Sequence, residues 1–133
     1  MKGNGAAALL LAARALMSAE FIFFGIMKTI NTRAMQQYME AGGVPGELIW
    51  VAAAVQIVGG ACVLLGFKTR VAALVLAGFC LVATLLFHTN FADLGEVSDF
   101  AKDLATAGGF IFLFAYGAGA WSLDAWMDAR RSS

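Results

Sequence analysis

Four apolar runs, at about 6–27, 48–66, 71–87 and 104–123, set the pattern of the chain. A bilayer-crossing helix needs about 20 such residues, with a range of about 17 to 25. All four runs fit, the third at the short end. Spanning strands would be about ten residues long and would alternate apolar with polar. These runs do not alternate, so the pattern predicts four transmembrane helices. The separators carry the turn chemistry. Residues 28–47, KTINTRAMQQYMEAGGVPGE, hold charges and then an AGGVPG breaker, and 32–39 predicts a short interfacial helix. Residues 67–70, FKTR, leave room only for a tight antiparallel hairpin. Residues 88–103, HTNFADLGEVSDFAKD, hold four of the nine acidic residues. The closing DAWMDARRSS reads as a polar tail with an interfacial Trp126. Nothing divides the chain, so residues 1–133 read as a single domain. The start has Lys2, an apolar stretch and the small pair Ser18-Ala19, as a signal peptide would. Arg14 interrupts that stretch and the apolar run continues past Glu20, so an uncleaved first helix is expected.

Composition strengthens the membrane reading. The chain is 61% hydrophobic and 14% charged, against about 25% charged for a typical soluble domain. Its mean hydropathy is +0.79. A soluble helical bundle of this size would need far more polar surface. Nine basic residues balance nine acidic ones, so there is no electrostatic footprint for nucleic acid. The lipid bilayer itself is the expected partner. Cys62 and Cys80 lie in apolar runs with no CxxC and no metal-ligand spacing. They read as small buried side chains, and in an antiparallel pair Cys62 falls too near the shared loop to meet Cys80.

Orientation follows from Lys and Arg near the helix ends. With both termini inside, Lys2, Lys68, Arg70, Arg130 and Arg131 are cytoplasmic, against Lys28, Arg33 and Lys102 outside. That bias places both termini in the cytoplasm.

Candidate chemistry lies in the polar residues at membrane depth, where charge is costly and turns toward a bundle interior, a cavity or another charge. Arg14 and Lys28 are 14 residues apart, close to four turns at about 3.6 residues each, so they share a face, with Glu20 about a quarter turn aside. Lys28 marks the outer end of helix one, Glu20 its outer half and Arg14 its inner half. Gln56 sits mid-run two. Glu47 precedes that run, His88 closes run three, and Lys102-Asp103 open run four. A polar cluster of Glu20, Lys28, Glu47, His88, Lys102 and Asp103, reaching down to Gln56, is expected on the outer side. Two readings stand beside each other. In one, these groups pair with each other or with headgroups and fix helix register. In the other, they border a pocket for a small anion, a quinone headgroup or a proton route: Lys28 and Lys102 would neutralise a ligand oxygen and His88 would exchange a proton. The lone His88 does not anchor haem. GGACVLLG follows no strand, so it is a helix-packing pattern and not a phosphate loop. No metal site and no catalytic set is read from these residues.

Several stretches together resemble the DoxX family of small bacterial membrane proteins: Arg14 with FFGIMK at 23–28, Gln56 with IVGGACVLLGFKTRVAAL at 57–74, Lys102-Asp103-Leu104 with Gly108-Gly109, and GAGAWSLD at 117–124. The resemblance covers nearly the whole chain. It implies an all-α, polytopic four-helix bundle in the bacterial inner membrane. It implies further a link to quinone chemistry, since a related DoxD subunit belongs to a thiosulfate:quinone oxidoreductase and other relatives to redox stress complexes. The family commonly carries Glu where Gln56 stands and Asn where Asp103 stands, so position 56 here has lost an ionisable group. The expected function is a redox-associated membrane subunit with quinone as its small partner and a membrane redox protein as its macromolecular one. A non-enzymatic scaffold or assembly partner is the alternative.

Overall fold

In the computed structural model, described over residues 3–132, the chain is helical almost throughout. The helices are α1 (Asn4–Ile30), α2 (Thr32–Ala41), α3 (Ile49–Leu65), α4 (Thr69–Phe87), α5 (Leu94–Tyr116) and α6 (Leu123–Ser132), with a short 3-10 turn at Gly46–Leu48 before α3. Among the described residues there is no strand. The chain is therefore an all-α membrane protein. Asn4–Ile30, Gly46–Leu65 and Thr69–Phe87 are each long and apolar enough to cross a bilayer. α5 is a fourth long helix, but Glu96, Asp99, Lys102 and Asp103 occupy its first half.

α1 packs along α3, α4 along α5, and α3 joins the two pairs. Glycines allow the first pairing. A Cβ on Gly25 would lie 2.7 Å from Ile57 Cγ1, and one on Gly60 would lie 2.8 Å from Ile22 Cγ1. Only glycine permits that approach. The centre is closed by aromatic packing. Phe21 meets Phe110 edge-on at 5.3 Å between ring centres and Phe79 at 6.3 Å, a geometry that suits the ring quadrupoles. Val63, Ala73, Leu76, Cys80 and Ala107 complete this core. The outside is as apolar as the inside. Leu16 is 77% exposed and Phe112 81% exposed. In water such a belt would be an aggregation surface; against lipid tails it is an ordinary one. Cys62 and Cys80 are free.

The fourth apolar run is where the helix bounds depart from the sequence pattern. A helix over 104–123 is expected, and α5 instead runs from Leu94 to Tyr116. Its start is set by the Asp93 carboxylate, which accepts from the Gly95 N–H at 2.8 Å. Glu96 favours the positive helix end and accepts from the Asn90 N–H at 2.9 Å. The Asp-x-x-Glu spacing of a capping box was present in the acidic segment. The helix stops at Gly117, φ +94°, followed by Gly119 at φ +88°, a backbone that only glycine adopts freely. Lys102 and Asp103 thus lie more than two turns inside α5 and do not open it. The polar tail is also a helix, α6, begun by Ser122, whose hydroxyl accepts from the Ala125 N–H at 3.2 Å.

At the α3–α4 turn, Gly66 ends α3 at φ +72° and Lys68 precedes α4 at φ +46°. A non-glycine residue is strained there, and the strain is held from outside. Asp124 accepts from the Lys68 N–H at 2.7 Å and the Thr69 N–H at 2.9 Å. The Asp124 N–H in turn donates to the Gly66 carbonyl at 2.7 Å. A carboxylate from α6 therefore caps α4, and the turn is bolted to the C-terminal segment.

Candidate functional site

Arg14 belongs to this bolt. Its side chain is 1% exposed, and Nη2 donates to the Trp121 carbonyl at 2.8 Å. A Cβ on Gly66 would run into Arg14 Nη1 and Ser122 Cβ, so the glycine also makes room for the guanidinium. Arg14 lies level with the α3–α4 turn, toward the opposite end of the bundle from Lys28. Asp124 feels its charge. Burial disfavours the Asp124 carboxylate, but the Thr69 and Lys68 hydrogen bonds and Arg14 outweigh that and hold it below the usual carboxylate range. The turn end is thus a hydrogen-bonded joint, although Arg14 Nε and Nη1 are buried without a hydrogen-bond partner among the described residues. The open hollow of about 590 Å³ beside it is lined by Lys68, Arg70, Tyr116, Asp124 and Asp128, with Asp124 engaged by the Lys68 and Thr69 N–H groups and Asp128 3.9 Å from Arg131.

The other end of the bundle is different. There a cleft of about 990 Å³ is lined by residues of α1 to α5, at the upper end of the range typical for small-molecule sites, roughly 300–1,000 Å³. Phe21 and Phe79 belong to its wall, together with Phe24, Val51, Val55 and Leu86. These sides are apolar because they are also the inner faces of membrane-type helices. Tyr38 and Met39 of α2 line it as well, and Tyr38 packs against Phe87 with ring centres 5.2 Å apart. Burial first, and then the carboxylates of Glu96, Asp99 and Asp103, push the Tyr38 phenol above its ordinary range. It therefore stays protonated, a hydrogen-bond donor.

Six of the eight residues singled out in the sequence line this cleft: Glu20 and Lys28 from α1, Gln56 from α3, His88 at the end of α4, and Lys102 and Asp103 from α5. Arg14 does not, and Glu47 is exposed and outside the lining. The shift of α5 adds Asp99, which lines the cleft one turn before Asp103. His88 sits between the two acids, with Nδ1 3.9 Å from Asp99 Oδ2 and Nε2 3.9 Å from Asp103 Oδ2. Among the described residues neither Lys28 nor Lys102 has a carboxylate within ion-pair distance. Gln56 is buried, and its Oε1 accepts no hydrogen bond from any described residue. The cleft thus combines apolar walls with two ammonium groups outside ion-pair distance of any described carboxylate and a histidine flanked by acids. That suits an amphipathic ligand with an apolar body and a compact polar head. Asp99 and Tyr38 escaped the sequence reading. The available signal was the spacing of Asp99 and Asp103, four apart, which share a face once the acidic segment is helical.

Fold and cleft define a polytopic α-helical membrane protein with a polar site set among its long helices. The DoxX family model matches residues 9–89, and the chain belongs to the DoxX family. It is similar to inner membrane protein YqjF of Escherichia coli (strain K12), 44% identical over 114 residues that cover 86% of this chain and 88% of that protein. It is also similar to inner membrane protein YphA of the same organism, 30% identical over 123 residues, 87% of this chain and 88% of that one. No solved structure matches it.

Proposed function

We propose that this protein is a multi-pass protein of a bacterial inner membrane that holds a quinone-type headgroup in its cleft on behalf of a membrane redox partner. The observation that carries this reading is the cleft: about 990 Å³, apolar along its walls, with Lys28, His88, Lys102 and Asp103 among its polar residues. A prenylated ring fits that division, its tail lying along the walls and its oxygens reaching the ammonium groups. The two relatives' names, both inner membrane proteins, support the location. The Lys and Arg bias supports cytoplasmic termini, which puts the cleft on the outer side. Lys28 and Lys102 bind the ring oxygens, and His88 with its two acids exchanges a proton with them.

The test is binding of a short-chain ubiquinone analogue to the full-length protein in lipid nanodiscs, by equilibrium dialysis. Saturable binding is expected. The double variant Lys28→Met, Lys102→Met should weaken it at least tenfold, about 1.4 kcal/mol. Absence of saturable binding to the wild type in either redox state of the ring overturns the reading.

A further inference from the structure

Gln56 is 6% exposed. Its Oε1 is sealed inside the protein, and its Nε2, which donates to none of the described residues, is the atom that reaches the cleft. Turning the amide over would seal two N–H donors in place of one acceptor, a costlier burial. The close approach of α1 to α3 fixes where this donor stands: a Cβ on Gly25 would lie 3.1 Å from Gln56 Cβ. Lys28 follows Gly25 by three residues, one turn further along α1 on a neighbouring face. Glu20, five residues before Gly25, points more than a third of a turn away from that face at about 3.6 residues per turn. The packed pair α1–α3 therefore offers the cleft two donors close together, an ammonium and an amide. The packed pair α4–α5 offers something else. His88 lies 3.9 Å from both Asp99 and Asp103, and Lys102 precedes Asp103 in the same lining. There two acids stand against one lysine and an imidazole. The lining is thus polarised, donors alone from one helix pair and acids with a proton-exchanging group from the other.

We infer that Gln56 is a ligand-contacting residue that, with Lys28, fixes one oxygen of the ring, and that the other oxygen is left to His88 and its acids. The inference rests on the ring-binding function proposed above and deepens it. An amide N–H has no proton to exchange at ordinary pH, so Gln56 holds an oxygen without titrating. An ammonium beside it adds a charge-assisted bond to the same acceptor. A carbonyl oxygen has two lone pairs and accepts both. The oxygen across the ring meets an imidazole, a group suited to exchanging protons, whose charge is offset by two carboxylates. The two ring oxygens are therefore bound unequally: one takes two fixed donors, and the other faces the only histidine of the chain. Gln56 decides which oxygen is which, because it is the neutral donor whose place is set by helix packing.

The probe is a short-chain ubiquinone analogue carrying carbon-13 at one carbonyl or the other, bound to the full-length protein in nanodiscs and read by difference infrared spectroscopy. Hydrogen bonding lowers a carbonyl stretching frequency, and the label tells the two carbonyls apart. The wild type should show two carbonyl bands shifted unequally from the free probe, the more shifted one belonging to a single labelled position. Gln56→Leu should move that band alone back toward its free frequency and weaken binding about twofold to tenfold, the worth of one hydrogen bond. Gln56→Met should do the same if the leucine variant fails to fold. His88→Phe should move the other band alone. Equal shifts at both carbonyls of the wild type overturn the inference, as does a Gln56→Leu variant that leaves both bands in place or moves both. Either outcome leaves the ring-binding function standing, since the probe is still bound. Failure of the wild type to bind the probe removes the two together.

Discussion

Arg14 and Asp124 show what single residues do at the turn end. Arg14 has no acid at its expected depth when the sequence is read alone, because the partner is a backbone carbonyl, that of Trp121. Carbonyls are the same in every residue, so no side-chain pattern announces which one will turn inward. The GFKTR and GAGAWSLD stretches were legible as separate features; that they meet was not, since their contact depends on two glycines of positive φ bending the chain after α5. Arg14→Leu should destabilise the protein by about 1.5–3 kcal/mol, the worth of a hydrogen bond from a charged group, read as a lower melting temperature in nanodiscs. Asp124 makes a separate, pH-dependent contribution. Its carboxyl lies below the ordinary range in the folded chain. Its stabilisation is therefore fully present above the unfolded value, about 3.9, and is lost as pH falls through the lower folded value. Asp124→Asn should melt at a lower temperature than the wild type at pH 6, and the gap should narrow toward pH 3. A gap that stays constant or widens contradicts the capping role.

Between elements, glycine is informative only where something stands opposite it. The runs at 6–27, 48–66 and 71–87 correspond closely to α1, α3 and α4, because a long apolar stretch has few alternatives. Which glycine seats which helix is another matter. Gly25 faces Ile57, Gln56 and the Ala53 carbonyl, the last 3.3 Å from a Cβ placed there, whereas Gly78 and Gly108 face nothing within 4 Å. All three look alike in the sequence. Gly25→Ala should force α1 and α3 apart, at an overpacking cost of about 1–3 kcal/mol that outweighs the helix-propensity gain of about 1 kcal/mol. Because the added methyl presses on the Cβ of Gln56, ligand affinity should fall with it. Gly78→Ala should leave thermal stability unchanged or slightly higher and ligand affinity unaffected. Parallel unfolding and binding measurements on the two variants check this. Equal behaviour would mean that the α1–α3 approach does not position Gln56. The same logic explains α5. Its amphipathic first half hid in an acidic segment because hydropathy falls there, although the capping residues Asp93 and Glu96 were in plain view.

At the scale of the whole molecule, the two ends are built for different tasks. One end is tied by Arg14, Asp124 and the Gly66 carbonyl, although Arg14 Nε and Nη1 find no hydrogen-bond partner among the described residues. The other holds the cleft, where neither Lys28 nor Lys102 has a carboxylate within ion-pair distance among the described residues. The asymmetry also bears on orientation. The turn end carries Lys68, Arg70, Arg130 and Arg131; Lys2, expected on the same side, lies outside the described residues. Arg14, now level with the α3–α4 turn, adds to that side and strengthens the bias that retains positive ends in the cytoplasm. Among the described residues the cleft end carries Lys28, Arg33 and Lys102. With Cys62 and Cys80 replaced by alanine, a membrane-impermeant maleimide added to intact cells should label Glu47→Cys, which is exposed beside the cleft end. It should label Ser132→Cys, at the end of α6, only after the membrane is broken. The reverse pattern would put the cleft in the cytoplasm and its ligand's polar head among soluble reductants. Labelling of both positions in intact cells would put Glu47 and Ser132 on one side, which three crossings between them, by α3, α4 and α5, would not allow.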